Sequence, residues 1–303
     1  MPIITVKVKD STFNHEPLFL VSTDKIDIVR NCQAGSNGDV QVNSGDIVMY
    51  TDKWVKNIHP DSKINIALIV ECSEVNPDTL EYISTNNDKF DIVLTHNRKL
   101  LDRGENFKLS LFGTSWMADP YIRMWSKNKM CSLVTSAKQI TTGHKLRFEV
   151  IDHITKSGIN YVDIFGANYN HIPFTTTRSF DKDHTARHVS NGKIRALKDY
   201  MFTIVIENCK EDYWFTEKLI DAFLTGTIPI YYGCPSIGDF FDVSGMLFFD
   251  TPEECISILN EKVNEDTFLS MKDAMLRNFE TAKKFKSFNI NEDAIIEKAN
   301  GTN

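Results

Sequence analysis

Long hydrophobic runs are missing from this 303-residue sequence. The longest uninterrupted one is Ile66 to Val70, far short of the roughly 18 residues that a membrane-spanning helix requires. The opening Met-Pro-Ile-Ile-Thr-Val leads straight into a strand-like pattern, with no basic segment, apolar stretch and cleavage site in succession. The sequence therefore predicts a cytoplasmic protein with no membrane span. Cysteine is sparse: six residues, Cys32, Cys72, Cys131, Cys209, Cys234 and Cys255, are scattered without a C-x-x-C pair or a zinc-type cysteine–histidine spacing, so free buried thiols are expected. Positive charge is not in excess. A formal net charge of −7 argues against a nucleic-acid partner, which Lys and Arg would have to neutralise. There is no repeat of solenoid period and no low-complexity tract. The dinucleotide spacing G-x-G-x-x-G is absent, since Gly35-Ser-Asn-Gly38 reads as a turn, and Gly113-Thr-Ser115 lacks the second glycine of a nucleophile elbow.

What is present is enough apolar material, 42% with 11% aromatic, for one core or two without staples. Strand-like runs fall near residues 3–8, 18–21, 47–50, 64–70, 90–94 and 109–112, with helix-like segments between some of them. A second series falls near 131–134, 161–165, 202–206, 228–232 and 246–249, and 146–155, 193–200, 216–224 and 252–263 have apolar residues at helical spacing. Both halves read as α/β layers. The stretch 116–130 has no clear period and marks the interdomain boundary. The predicted division is 1–125, 126–265, and a C-terminal helix and tail over 266–303, with one long helix from Asp266 to about Phe285. The interval 168–191 is polar and aperiodic and reads as a long loop. Its Asp181-Lys182-Asp183 and His184-x-x-x-His188 have spacings seen in metal sites, but solvated loop residues are the expectation there.

The most informative segment runs from Tyr200 to Gly233. An apolar strand ends in Glu207-Asn208, a polar loop leads to Trp214-Phe215-Thr216-Glu217-Lys218, an apolar helix follows, and Gly226-Thr-Ile-Pro229-Ile-Tyr-Tyr-Gly233 forms a turn, a strand and a glycine. Polar side chains at the carboxyl end of a parallel strand stand where α/β domains bind ligands. Thr216 precedes Leu219, Ile220 and Phe223 as a helix N-cap, and unpaired N–H groups at such a terminus suit a diphosphate. Lys218 adds a positive charge, and Glu217 is expected to turn toward ribose hydroxyls. Taken alone, Glu217 reads as an ordinary first-turn acid and Lys218 as a solvated surface lysine.

In order and spacing this segment resembles the donor-binding signature of family 10 glycosyltransferases, the α-1,3-fucosyltransferase-like enzymes, through Phe202, Glu207, Asn208, Thr216, Glu217, Lys218, Pro229, Ile230, Tyr231 and Gly233. It departs where Cys209 stands for the usual serine and Trp214-Phe215 for Tyr-Val. Upstream, Ser136-Ala-Lys138, Gly143-His-Lys-Leu-Arg147 and Val162-Asp-Ile-Phe-Gly166 are similar to further family elements. The resemblance implies a GT-B architecture: two Rossmann-like domains facing across a cleft, acceptor on the N-terminal side, nucleotide-sugar on the C-terminal side, and a last helix crossing back to the first domain. It implies a donor site of Arg147, Glu207, Asn208, Trp214, Thr216, Glu217 and Lys218. Arg147 would fork onto the diphosphate, the alternative being an interhelix salt bridge.

For inverting transfer the acceptor hydroxyl must lose a proton, which calls for a carboxylate. Glu71, ending the apolar run 64–70, matches the family's strand-end glutamate, and Glu74 is a close rival. The alternative for both is to cap the helix that begins near Asp78. The implied reaction moves a sugar, L-fucose from GDP-fucose, to a hydroxyl of a glycan. Another nucleotide-sugar donor, or a binding protein without turnover, are the competing readings. The scheme requires no cofactor; a divalent metal is possible but not expected.

Overall fold

The protein is described by a computed structural model covering residues 2–10, 20–30, 39–167, 177–179, 190–288 and 290–301. Asp181, Asp183, His184 and His188, singled out above for their spacing, lie outside the described residues, as does Cys32. Contacts divide the chain into two units. The first holds Met1–Phe112, Glu211–Trp214 and Ser287–Asn303, and the second holds Gly113–Lys210 and Phe215–Lys286.

In the first unit the strands are β1 (Ile4–Lys9), β2 (Ile26–Arg30), β3 (Ile47–Thr51), β4 (Ile64–Leu68), β5 (Ile92–Thr95) and β6 (Phe107–Leu109), in the order β2-β1-β3-β4-β5-β6. Their pairings are all parallel. Val48, Tyr50, Ala67, Ile69 and Val93 form much of the core on one face. Two helices follow the central strands, α1 (Pro77–Asn86) and α2 (Arg98–Leu101). The order reverses between β1 and β3, so ligands are expected outside the carboxyl ends there.

The second unit continues with β7 (Lys129–Ser136), β8 (Val162–Ala167), β9 (Thr177–Ser179), β10 (Tyr200–Ile206), β11 (Ile228–Tyr232) and β12 (Leu247–Phe248). Its sheet, again parallel, has the order β12-β11-β10-β7-β8-β9. Its helices are α3 (Thr142–Ser157), α4 (Ser190–Leu197), α5 (Glu217–Leu224), α6 (Pro252–Glu261), α7 (Glu265–Ser270) and α8 (Lys272–Ala282), while α9 (Glu292–Ala299) belongs to the first unit. Every residue of β10 is buried, as expected of a central strand covered on both faces. The reversal of order lies between β7 and β10, so the β7–α3 loop and the residues after β10 flank this sheet's ligand position.

The expected boundary and two expected helices change. The boundary falls between Phe112 and Gly113 rather than near 125, because the aperiodic stretch is held by side chains of the second unit. Ser115 Oγ and Trp116 N–H donate to Asp221 Oδ1 at 2.7 and 3.0 Å, and a Cβ on Gly113 would stand 2.7 Å from Phe215. The helix expected from Asp266 to Phe285 is broken at Met271 (φ −92°, ψ −1°), where Phe268 and Met271 pack against the sheet core. The helix expected over 193–200 is α4, displaced toward the N-terminus, and Tyr200 already opens β10.

Candidate active site

In the second unit, Glu207 continues β10 and is fully buried, its N–H donating to Tyr232 O at 2.9 Å. Its carboxylate is spent on the start of α5. Oε1 accepts from Thr216 N at 2.8 Å and Oε2 from Thr216 Oγ1 at 2.7 Å. Thr216 is the N-cap, with its hydroxyl oxygen accepting from Lys218 N and from Lys218 Nζ at 3.0 Å. Glu207 is thus a buried brace that aims the helix terminus, a satisfied acid of the kind that low-dielectric surroundings demand. Lys218 Nζ lies 3.4 Å from Glu207 Oε2 and 3.3 Å from Glu217 Oε1, and its side chain keeps 24% exposure. Lys193 Nζ stands 4.0 Å from Glu217 and 2.6 Å from Asp221. Burial alone would raise Glu217, but Lys218 and then Lys193 outweigh it and hold the carboxyl at about 2.

The β7–α3 side completes the corner. Thr141 caps the 16-residue α3 in a capping box with His144. A Cβ on Gly143 would lie 1.9 Å from Glu207 O, so only glycine lets the helix terminus seat here, where Gly143 N–H donates to Asn208 O at 2.8 Å. Arg147 Nε donates to Ile206 O at 3.1 Å, and its Nη2 donates to Asn208 Oδ1 at 2.9 Å. This buried guanidinium therefore braces the strand end through Nε and Nη2. His144 is lowered to about 4, first by burial and then by the charges of Arg147, Lys218 and Lys138. Its Nδ1, 3.3 Å from Thr141 N–H, accepts as the neutral ring requires. Two helix N-termini, each carrying about half a positive charge, thus converge with Arg147, Lys218 and Lys138. That corner is built for an anion.

In the first unit the carboxyl edge is acidic. Thr51 Oγ1 donates to Asp10 Oδ1 at 2.7 Å. The next residue, Asp52, adopts φ +43°, and its Oδ1 accepts from Val70 N at 3.0 Å and Glu71 N at 3.3 Å. Glu71 is half-buried and Glu74 exposed. The cap of α1 is Asn76, so neither glutamate occupies that place. Burial, with the Glu71 charge adding to it, raises Asp52 to about 7. A carboxyl raised from the usual 3.8 favours the fold when protonated. Its contribution is complete below pH 3.8 and is lost as pH rises through 7, with a ceiling of about 4 kcal/mol. Thermal unfolding is therefore expected to show the wild type losing stability from pH 5 to 8 while Asp52→Asn loses much less. Parallel pH dependence in the two proteins contradicts this.

Trp214, expected beside the donor, is buried. It counts with the first unit, is 1% exposed, and donates from Nε1 to Val70 O at 3.0 Å. Its ring lies 6.2 Å from His96, and this burial leaves no open face for stacking on a ligand. Residues the sequence reading did not single out are His144, Lys193, Asp221 and Glu211. Only the Thr141-x-x-His144 capping pattern carried a local signal for one of them.

Residues 124–240 match the model for glycosyltransferase family 10 (fucosyltransferase), C-terminal part. Over those residues the chain resembles the family 10 glycosyltransferases. The match holds Arg147 and the whole run from Glu207 to Lys218, whereas Glu71 and Glu74 lie outside it. Among curated relatives, the α-(1,3)-fucosyltransferase FucT of Helicobacter pylori is 44% identical over 51 residues, 17% of this chain and 11% of that protein. The α-(1,3)-fucosyltransferase B of Drosophila melanogaster is 33% identical over 87 residues, 27% of this chain and 20% of that protein. The likeness thus spans a fifth or less of these relatives' length. A crystal structure of an α1,3-fucosyltransferase with GDP superimposes with a TM-score of 0.51 at 16% identity, over 94% of this chain and 89% of that one. Another α1,3-fucosyltransferase structure gives 0.53 at 16% identity over 90% and 81%. At that identity the likeness is one of fold, two parallel-sheet α/β domains of the GT-B kind. No helix among the described residues is long and apolar enough to cross a membrane.

Proposed function

We propose that the chain is an inverting glycosyltransferase that moves L-fucose from GDP-fucose to a hydroxyl of a glycan, in glycan biosynthesis. The observation that carries this reading is the convergence of the α3 and α5 N-termini with Arg147 and Lys218 at the second sheet's switch point. The family match over that segment and the fold shared with an α1,3-fucosyltransferase crystallised with GDP-fucose support the choice of donor.

In this scheme the diphosphate sits against the two helix termini. Lys218 meets the charge that grows on the β-phosphate as the bond from the anomeric carbon to the phosphate oxygen breaks. Arg147 holds Asn208 and the strand end in place and contributes its charge to the same anion. Glu217, kept ionised by its lysines, is assigned to the ribose. The acceptor oxygen attacks the opposite face of the anomeric carbon and gives its proton to a carboxylate of the first unit. Glu71 takes that role in preference to Glu74, because Asp52 fixes its backbone and half-burial keeps it in place. Atoms balance: one C–O bond forms, one breaks, GDP leaves as the anion and the proton goes to Glu71.

The positive charge the step needs comes from protein groups, so donor binding is expected to survive chelation. Calorimetric titration in EDTA should show GDP binding more tightly than UDP, with little change on adding a divalent metal. Preference for UDP would keep the fold and replace the donor with another nucleotide-sugar. Binding of neither overturns the donor site.

A further inference from the structure

Between Lys210 and Phe215, both in the second unit, the four residues Glu211–Trp214 count with the first. They interrupt the run that most resembles a donor signature, and three of them are anchored individually. Glu211 Oε2 accepts from Ser73 N at 2.9 Å, and Oε1 accepts from Asn97 Nδ2 at 2.7 Å. His96, fully buried, stands with Nε2 at 3.7 Å from Oε1. Arg98 pairs with Asp212 at 3.7 Å, and Trp214 holds Val70 O.

Ser73 lies two residues from Glu71 and one from Glu74. Around it, five of the loop's N–H groups have identified acceptors. Those of Val70 and Glu71 go to Asp52, that of Ser73 goes to Glu211, and those of Val75 and Asn76 go to Cys72 O at 3.0 and 3.1 Å. A carboxylate thus grips the loop on either side of Cys72. We propose that Glu211 is a positioning residue for transfer, fixing through Ser73 the loop that presents the catalytic carboxylate, and that the donor sequence lends it to the first unit for that purpose. This inference rests on the reading of Glu71 as base. The Glu211 carboxyl suits a permanent grip: burial would raise it, but His96, Ser73 and Asn97 together hold it at about 2, so it is an acceptor at every working pH.

The test is turnover of GDP-fucose, with water and a panel of glycans as acceptors, by wild type, Glu71→Gln, Glu211→Ala and Glu211→Gln, alongside calorimetry with GDP and amide hydrogen exchange at Ser73. A small displacement of a reacting group costs about 100-fold in rate. Glu211→Ala is therefore expected to lower kcat by about 30- to 100-fold with GDP affinity within about twofold of wild type, and Glu211→Gln, which keeps one acceptor oxygen, to recover part of the loss. Exchange at Ser73 should accelerate in Glu211→Ala. Wild-type kcat in Glu211→Ala, with Glu71→Gln inactive, overturns the inference and leaves the base assignment standing. Parallel loss of kcat and GDP affinity overturns it too, because it shows a general structural role. If Glu211→Ala does not fold, Glu211→Gln decides: reduced kcat with unchanged GDP affinity supports the inference and wild-type kcat defeats it. If the wild type does not turn over, the proposed function has failed, and the exchange rate at Ser73 alone decides whether Glu211 grips the loop.

Discussion

Glu71→Gln is expected to lower sugar transfer by about 10²- to 10⁴-fold, the range for loss of a positioned general base, while GDP affinity stays at the wild-type value. Glutamine keeps the size of the side chain and the Glu71 N–H bond to Asp52, so the loss would belong to the proton acceptor. Glu74→Gln is expected to stay within a fewfold of wild type, since Glu74 is exposed on the loop. Parallel steady-state kinetics and calorimetry on the two variants separate the assignments. A dead Glu74→Gln beside an active Glu71→Gln would exchange the roles, and full activity in both would remove the base from this loop.

Lys218→Met should be strongly damaging, for two independent reasons. Two buried carboxylates, Glu207 and Glu217, lie within 3.4 Å of its ammonium group, and removing one partner of buried ion pairs costs about 3–5 kcal/mol. The same change withdraws positive charge from the diphosphate position, where one lost electrostatic donor costs about 10²- to 10³-fold in rate. The pH dependence has a definite sign. Glu217, held at about 2 against a usual 4.5, contributes stability that is present above pH 4.5 and is lost as pH falls through 2. Without Lys218 that carboxyl rises, so acid unfolding of Lys218→Met should begin at a higher pH than in the wild type. Lys218→Arg keeps the charge and should recover stability more fully than activity, since a planar fork does not replace a compact ammonium group. Unchanged Tm and unchanged GDP affinity in Lys218→Met would contradict the role given to this residue.

The parts of this site that were legible in the sequence are those whose cause is local. A run of apolar residues ended by Glu207-Asn208 announces a buried parallel strand and its carboxyl end, and a threonine before Leu219, Ile220 and Phe223 announces a capped helix. Both stand in the structure as read. What stayed hidden is set by long-range contacts. Nothing near Glu207 says that its carboxylate will close on Thr216, and nothing near Gly143 says that Glu207 O will lie where a Cβ would be. Trp214 sits inside the donor-like run, so local reading assigned it to the donor side, and nothing local says that its indole will bond to Val70 O, 144 residues away. Glu211 carries no pattern at all, because its donors are 138 and 114 residues away. The stretch 116–130 read as a boundary because it has no period. It has none because Asp221 rather than a helix or sheet ladder satisfies Ser115 and Trp116.

The most direct test of the account is to follow GDP-fucose turnover in EDTA with glycan acceptors and to read the anomeric configuration of the product by NMR. The account predicts fucose joined to an acceptor hydroxyl with its configuration inverted relative to the donor, and GDP released in equal amount. Retention of configuration would contradict the displacement at the anomeric carbon, and an intact donor after incubation with active-site protein at full occupancy would contradict the assignment as a fucosyltransferase.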